Sequence, residues 1–140
     1  MKTINFKSGY KKLVAASALF LFTVLLVSCE NKINFLTSAV VPAARGYVTV
    51  KTDKNKNYVI NIHVSDLAES TRLSPPKQTY VVWLTGVEGT AQNIGQIQTS
   101  KLSAALKTVS PYKPNKVFIT AEDEANAQYP GKTVLTTENF

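Results

Sequence analysis

The stretch "RGYVTVKTDKNKNYVINIHVS", residues 45–65, decides the fold class of this 140-residue chain. In each half, branched apolar residues alternate with polar or aromatic ones, and the apolar set is Val48, Val50, Ile60, Ile62 and Val64. A period of two residues indicates a strand with one buried and one exposed face. The residues between the halves, "DKNKN", tolerate the backbone of a tight turn. The stretch therefore predicts an antiparallel β-hairpin.

The run "TYVVWLTGV", residues 79–87, is apolar on both faces. This predicts a central strand covered on two sides. The segment before it contains Pro75 and Pro76, which favour a loop because proline interrupts helices and restricts the residue before it. "LSAALKTV", residues 102–109, fits both a strand and a helical stripe, and we favour a strand.

Shorter β-rich runs complete the mature chain, namely "NIGQIQT" (93–99), "NKVFITAE" (115–122) and "KTVLTTE" (132–138). The segment "DEANAQYPG", residues 123–131, is the expected loop before the last of them. The sum is about seven strands, spaced by turn signals, without a convincing helix after the N-terminal segment. The sequence therefore predicts an all-β fold, a single Ig-like or Greek-key antiparallel β-sandwich.

The N-terminal segment has a different character. Four lysines and no acidic residue precede a charge-free, mostly apolar stretch that runs from Leu13 to Val27. As a helix these residues would rise about 22 Å, short of the roughly 30 Å hydrocarbon core of a bilayer. The pattern therefore indicates a signal sequence rather than a lasting membrane span.

The apolar stretch ends on the only cysteine, and the four residues there are Leu26, Val27, Ser28 and Cys29. This ending resembles the lipobox of bacterial lipoproteins, which implies cleavage before Cys29 and a diacylglyceryl group on its thiol. The expected organisation is a signal peptide over 1–28, a lipidated cysteine with a short tether over 29–36, and a β-sandwich over 37–140. The alternatives are a buried thiol or an incidental cysteine at the end of a membrane helix.

The predicted anchor places the protein in the cell envelope, attached to a membrane through acylated Cys29. Glu30 follows the cysteine, whereas an aspartate there would favour inner-membrane retention, so an outer-membrane destination is slightly favoured. Removal of residues 1–28 leaves 12 basic against 9 acidic residues, a net charge of +3. We expect no nucleic-acid partner, because the mature chain has no dense basic stripe with interleaved aromatic residues. A single cysteine also excludes an internal disulfide.

Several positions of the mature chain resemble the C-terminal extracytoplasmic domain of the anti-sigma-K factor family. The likeness spans roughly residues 44–136, and its motif positions are Tyr80, Trp83, Gly95, Phe118, Thr120, Glu122, Pro130 and Gly131. These are core and turn features, so the resemblance implies a fold more than an activity. Only 12 residues precede the apolar stretch, which leaves no room for a sigma-binding domain. The resemblance therefore implies a sensor-side or structural module alone.

Three groups of residues invite a chemical interpretation. His63, Ser65 and Asp66 resemble triad components, but on a strand Asp66 points away from the other two, so His63 is expected to be an exposed strand residue. Glu122 to Glu124 lack the alternating ligand spacing of a calcium loop and are expected to form a solvated loop. Tyr80 and Trp83 are expected to lie in the core rather than to stack on a sugar or peptide.

We therefore expect no catalytic site, metal or cofactor. The favoured interpretation is a non-catalytic, lipid-anchored sandwich that binds an envelope protein through a strand edge or the loops at one end. The alternative is a small-ligand-binding lipoprotein or an envelope enzyme, which would need a concave site with convergent polar groups.

Overall fold

Eight strands form two four-stranded antiparallel sheets in the computed structural model, which describes residues 31–99 and 101–140. The strands are β1 (Lys32–Asn34), β2 (Arg45–Thr52), β3 (Tyr58–Ser65), β4 (Thr79–Thr85), β5 (Ala91–Ile97), β6 (Ala104–Ser110), β7 (Lys116–Glu122) and β8 (Thr133–Thr136). The helical structure in these residues is one 3₁₀ turn, Ser70–Arg72. Within the same ranges, no helix is long and apolar enough to cross a membrane. The all-β prediction is confirmed.

The strand order is β1-β2-β3-β6 in sheet 1 and β5-β4-β7-β8 in sheet 2. The pairs β2–β3, β4–β5 and β7–β8 join consecutive strands, whereas β3–β6 and β4–β7 join strands that are separated in the chain. The chain therefore passes repeatedly from one sheet to the other. With β2, β3 and β6 as strands A, B and E, and β4, β5, β7 and β8 as C, C′, F and G, this is the connectivity of an Ig-like sandwich.

The core lies between the inner faces of the two sheets, where inward residues alternate with outward ones along each strand. Fully or almost fully buried residues from both sheets fill it, including Val48, Ile60, Ile62, Tyr80, Val82, Leu84, Val117, Ile119 and Leu135. Loop residues such as Phe35 and Leu67 close its margins. Burial of this apolar surface is the main stabilising contribution to the fold.

The predicted hairpin is confirmed, and hydrogen bonds to the Asp53 side chain stabilise its turn. The Asp53 carboxylate accepts hydrogen bonds from the backbone N–H groups of Asn55 and Asn57, at 2.8 and 2.9 Å. Lys56 adopts a positive φ of 65°, as a tight turn of this kind requires. The predicted strand over 102–109 is also confirmed, although it begins at Ala104, after Leu102 with a positive φ of 65°.

The structure differs from the sequence prediction at the start of the domain. Residues 29–36 were predicted to be a tether, but Lys32–Asn34 form strand β1 and pair with residues Tyr47 to Thr49 of β2. Ile33 packs against the core, and the Phe35 side chain is buried in it. The eighth strand is therefore this short edge strand, whose three residues are too few for a periodic signal.

After β1 the chain crosses to the edge of sheet 2. The backbone N–H of Leu36 donates to the carbonyl of Thr136 at 2.8 Å, and the Ser38 hydroxyl donates to the carbonyl of Val134. The Ser38 oxygen also accepts the N–H groups of Val40 and Val41. This segment covers the free edge of β8, which would otherwise expose unpaired backbone groups.

Candidate functional surfaces

The predicted lipobox and lipidation site, Leu26 to Cys29, lie outside the described residues. In the sequence, the first described strand, β1, starts at Lys32, three positions after Cys29.

The structure brings most of the other predicted motif residues together on the outer face of sheet 2. Trp83 and Phe118 are directly paired across β4 and β7, and their rings stack with centroids 6.3 Å apart. The indole N–H of Trp83 donates to the Thr120 hydroxyl at 2.7 Å, and that hydroxyl donates to the Glu122 carboxylate. The same carboxylate accepts the backbone N–H of Gly131 at 2.7 Å. These contacts form one hydrogen-bonded chain from the strand interior to the loop before β8.

The loop over residues 123–132 folds back over this series of hydrogen bonds. The Asn93 side-chain amide donates to the carbonyls of Ala125 and Ala127, at 2.9 and 3.2 Å. Because Asn93 pairs with Trp83 across β4 and β5, these bonds draw the loop across the sheet above the indole. Trp83 is fully buried even though it lies on the outer face. Trp83 is expected in the core; it is buried, but on the outer face of sheet 2 and outside the core cluster between the sheets. The hydrogen bonds from Asn93 place the loop over this side of the sheet.

Tyr80 and Gly95 serve the packing between the two sheets. Tyr80 points into the core with 1% of its surface exposed, and its hydroxyl donates to the carbonyl of Ala68 at 2.8 Å. Burial raises the pKa of Tyr80 to about 12. Gly95 has a φ of 142°, and a Cβ placed on it would lie 3.2 Å from the Leu106 side chain. Glycine therefore lets β5 approach β6 of the other sheet closely.

The acidic residues after β7 have ordinary structural roles. The Glu122 carboxylate is engaged by Thr120 and Gly131, and Asp123 forms an ion pair of 2.7 Å with Lys77. Within the described residues, no group of three His, Cys, Asp or Glu residues is placed to hold a metal ion. Asp123 and Glu124 are exposed to solvent. The prediction of a solvated loop therefore holds for Asp123 and Glu124 and is wrong for Glu122, which is the half-buried last residue of β7.

His63, Ser65 and Asp66 are all exposed at the end of β3. Asp66 adopts a positive φ of 54°, just beyond the strand. The His63 ring contacts the Tyr47 ring, with centroids 5.2 Å apart. The prediction that His63 is an exposed strand residue is confirmed.

We call the outer face of sheet 1 the basic face. Its outward side chains follow the strand registers in cross-strand ranks. One rank contains Asn34, Tyr47, His63 and Ala105, and the next contains Lys32, Thr49, Asn61 and Lys107. The Lys32 ammonium lies over the Tyr47 ring, 4.4 Å from its centroid, and the Asn61 amide donates to the Thr49 hydroxyl. Arg45 and Lys51 lie at the two ends of β2 on the same face.

A groove of about 480 Å³ lies at one end of the basic face. Its lining includes Asn34, Arg45, Tyr47, His63 and Ser65. The Arg45 guanidinium donates to the carbonyls of Pro42 and Ala44, which fixes its position at the rim. The groove is open to solvent, so it presents a surface and does not enclose a ligand.

A second groove, of about 450 Å³, lies at the end of the sandwich where β4 ends and β7 begins. Val87 and Tyr112 line it with 81% and 58% of their surfaces exposed. Exposed apolar side chains next to each other are typical of contact sites on protein surfaces. The sequence patterns did not single out these two residues, because each belongs to a different turn.

Comparison of the chain with protein-family models, with curated proteins and with solved structures finds no match.

Proposed function

We propose that this protein is a non-catalytic lipoprotein of the cell envelope, in which a lipid anchor at Cys29 presents the β-sandwich as an interaction or sensory module. The observation that carries the proposal is the sequence Leu26-Val27-Ser28-Cys29 at the end of a basic and then apolar segment. The start of β1 at Lys32 supports it, since a folded domain begins just after the proposed new N-terminus. On this proposal the module is similar to the sensor side of anti-sigma-K factors.

The exposed features of the domain support binding more than catalysis. Val87 and Tyr112 offer apolar contacts at one end of the sandwich, and Tyr129, in the loop over 123–132, has 83% of its surface exposed. Loops on a rigid sandwich are common recognition sites. The groove beside His63 is the feature that favours the alternative, a small-ligand-binding lipoprotein.

The lipid anchor is tested by the mass of the native protein. We expect the mature chain to begin at Cys29 and to be heavier than residues 29–140 by its acyl groups. Cys29→Ala should remain unprocessed, because the lipid-modified thiol directs cleavage. An unmodified cysteine in a mature, membrane-associated protein would contradict the proposed function.

The interaction module is tested by photo-crosslinking in intact cells, with reactive residues in place of Val87, Tyr112 and Gln128. We expect one dominant envelope protein to be captured from one end of the sandwich. Reactive residues at Lys54, in the β2–β3 turn, provide an exposed comparison position. If no protein is captured reproducibly from any position, the small-ligand alternative is favoured.

A further inference from the structure

We propose that the basic face rests on the anionic headgroups of the phospholipid bilayer that carries the anchor. This inference rests on the proposed lipid anchor. The described strands of sheet 1 contain four cations and no Asp or Glu, and the cations are Lys32, Arg45, Lys51 and Lys107. All four occupy outward positions, because the alternate residues of each strand face the core.

The spacing of these cations fits an extended anionic surface. Lys32 and Lys107 lie in one rank at opposite edges of the sheet, three strand spacings or about 14 Å apart. Arg45 and Lys51 lie on β2, six residues or about 20 Å apart. A single small anion cannot contact charges that are this far apart. A bilayer with many mobile headgroups can supply a negative charge near each of them.

The centre of the basic face also suits a membrane interface. It carries the partly exposed Asn61 amide, which donates to the buried Thr49 hydroxyl, and the ring of Tyr47 between Lys32 and His63. Tyrosine is enriched at the level of lipid headgroups because its ring is apolar and its hydroxyl is polar. The face is therefore charged at its margins and amphipathic at its middle.

The anchor fixes which part of the domain can reach the membrane. Three peptide links join Cys29 to Lys32, and they span at most about 11 Å. An acylated Cys29 would thus hold the β1 edge of sheet 1 close to the headgroups. The two sides differ in charge, because the strands of sheet 1 contain no Asp or Glu, whereas β7 of sheet 2 carries both Lys116 and Glu122. Anionic lipids therefore attract the basic face more strongly than the outer face of sheet 2.

A second copy of the chain fits the basic face poorly. Two such faces would bring like charges together over their whole area, which is unfavourable. An acidic protein would satisfy the same charges, but nothing holds it as close to β1 as the anchor holds the bilayer. The charge complementarity and the short connection together favour the lipid surface.

The test uses the mature acylated protein in vesicles, with a fluorophore on an introduced cysteine and a quencher attached to lipid headgroups. An acylated Cys29 has no free thiol, so the label goes to the introduced residue. Ala105→Cys places the label on the basic face, where Ala105 is exposed and pairs with His63. Gln96→Cys is the matched control, an exposed strand residue that pairs with Val81 on the outer face of sheet 2.

We expect the label at residue 105 to be quenched in vesicles that contain phosphatidylglycerol and not in vesicles of phosphatidylcholine alone. The label at residue 96 should stay unquenched in both.

A basic side chain near an anionic bilayer strengthens binding about fivefold. Lys32→Gln with Lys107→Gln should lower the ratio of docked to undocked protein about 25-fold. Lys116→Gln with Lys132→Gln removes the same charge from the sheet 2 side and should leave the ratio unchanged. At about 1 M salt the screening length is about 3 Å, and the quenching should disappear while the protein stays on the vesicles.

Mass spectrometry of the same samples separates the two proposals. If Cys29 is acylated but the label at residue 105 is not quenched in anionic vesicles, or both labels are quenched equally, the inference is overturned and the proposed anchor stands. The first of these results would leave the basic face open to an acidic protein. If Cys29 is unmodified, the proposed function fails, and the inference fails with it because no tether holds the face at the membrane.

Discussion

Tyr80 combines a buried aromatic ring with one polar contact, the hydrogen bond from its hydroxyl to Ala68. Because burial raises its pKa from 10 to about 12, the folded state keeps the proton at pH values where the unfolded chain has lost it. Tyr80 therefore contributes stability that is fully present below pH 10 and is lost as the pH rises to about 12, up to about 2–3 kcal/mol.

The corresponding prediction concerns Tyr80→Phe. We expect a loss of about 1 kcal/mol at pH 7, from the missing hydrogen bond. Between pH 10 and pH 12, however, the free energy of unfolding should fall less steeply in the variant than in the wild type. Denaturant unfolding at a series of pH values measures both effects. Tyr129→Phe is the control, because that side chain is 83% exposed. If the free energy of unfolding falls equally steeply with pH in Tyr80→Phe and in the wild type, folding does not raise the pKa of Tyr80.

Thr120 is the link between Trp83 and Glu122, since its hydroxyl accepts from the indole and donates to the carboxylate. Thr120→Val keeps the shape and removes both hydrogen bonds, which leaves a buried indole N–H without a partner. We expect the free energy of unfolding to fall by about 1–3 kcal/mol. Thr120→Ser keeps the hydroxyl and should recover part of that loss. If Thr120→Val leaves the free energy of unfolding unchanged, the two hydrogen bonds do not contribute to stability.

At the scale of elements, the loop over 123–132 acts as a cover for the outer face of sheet 2. Asn93 binds it at two carbonyls, and Gly131 binds Glu122 near its end. The chain contains one tryptophan, so the fluorescence of Trp83 reports directly on this cover. The wild-type indole should be poorly accessible to a small quencher, because its side chain is fully buried.

Asn93→Ala should loosen the loop without disturbing the inner core. We expect the emission of Trp83 to shift to longer wavelength and its quenching by acrylamide to increase several-fold, while the unfolding free energy falls by about 1–2 kcal/mol. Gln96→Ala is the control, on the same strand and exposed to solvent. An unchanged quenching constant in Asn93→Ala would contradict the role of the loop as the cover.

The elements that the sequence predicted well are those with long periodic patterns. Seven runs show alternation or continuous apolar character, and each forms a strand close to the predicted bounds. Strand β1 has only three residues, and its pairing depends on β2, so no local pattern could reveal it. The role of Asn93 is likewise not predictable from the sequence. Asparagine is a poor strand former, and the hydrogen bonds of this side chain go to a loop that is distant in the sequence.

The candidate surfaces were harder to predict than the fold. Trp83 was correctly expected to be buried, but β4 is apolar on both faces, so the sequence did not reveal that the ring lies on the outer side. The basic face combines residues from the consecutive strands β1, β2 and β3 and from β6, which is distant in the chain. Period-two alternation places each cation on an outward position, but only the pairing order brings Lys32, Lys51 and Lys107 onto one sheet face.

At the scale of the whole molecule, stability has to come from the core between the sheets. The chain contains a single cysteine, so no internal disulfide can restrict the unfolded state. A domain of this size is stabilised by about 5–15 kcal/mol in total. One well-packed core side chain therefore supplies a large part of the free energy of unfolding.

Leu84 is such a side chain, fully buried on the inner face of the central strand β4. Leu84→Ala should cost about 2–5 kcal/mol, from lost apolar burial and the cavity that remains. For a domain of this length, each kcal/mol lowers the melting temperature by about 4 °C or more, so we expect a decrease of at least about 8 °C by calorimetry. Val87→Ala, at a position that is 81% exposed, should leave the midpoint nearly unchanged. A reducing agent should not change the melting temperature of the wild type. A marked decrease on reduction would show that a disulfide between two copies of the chain also contributes to stability.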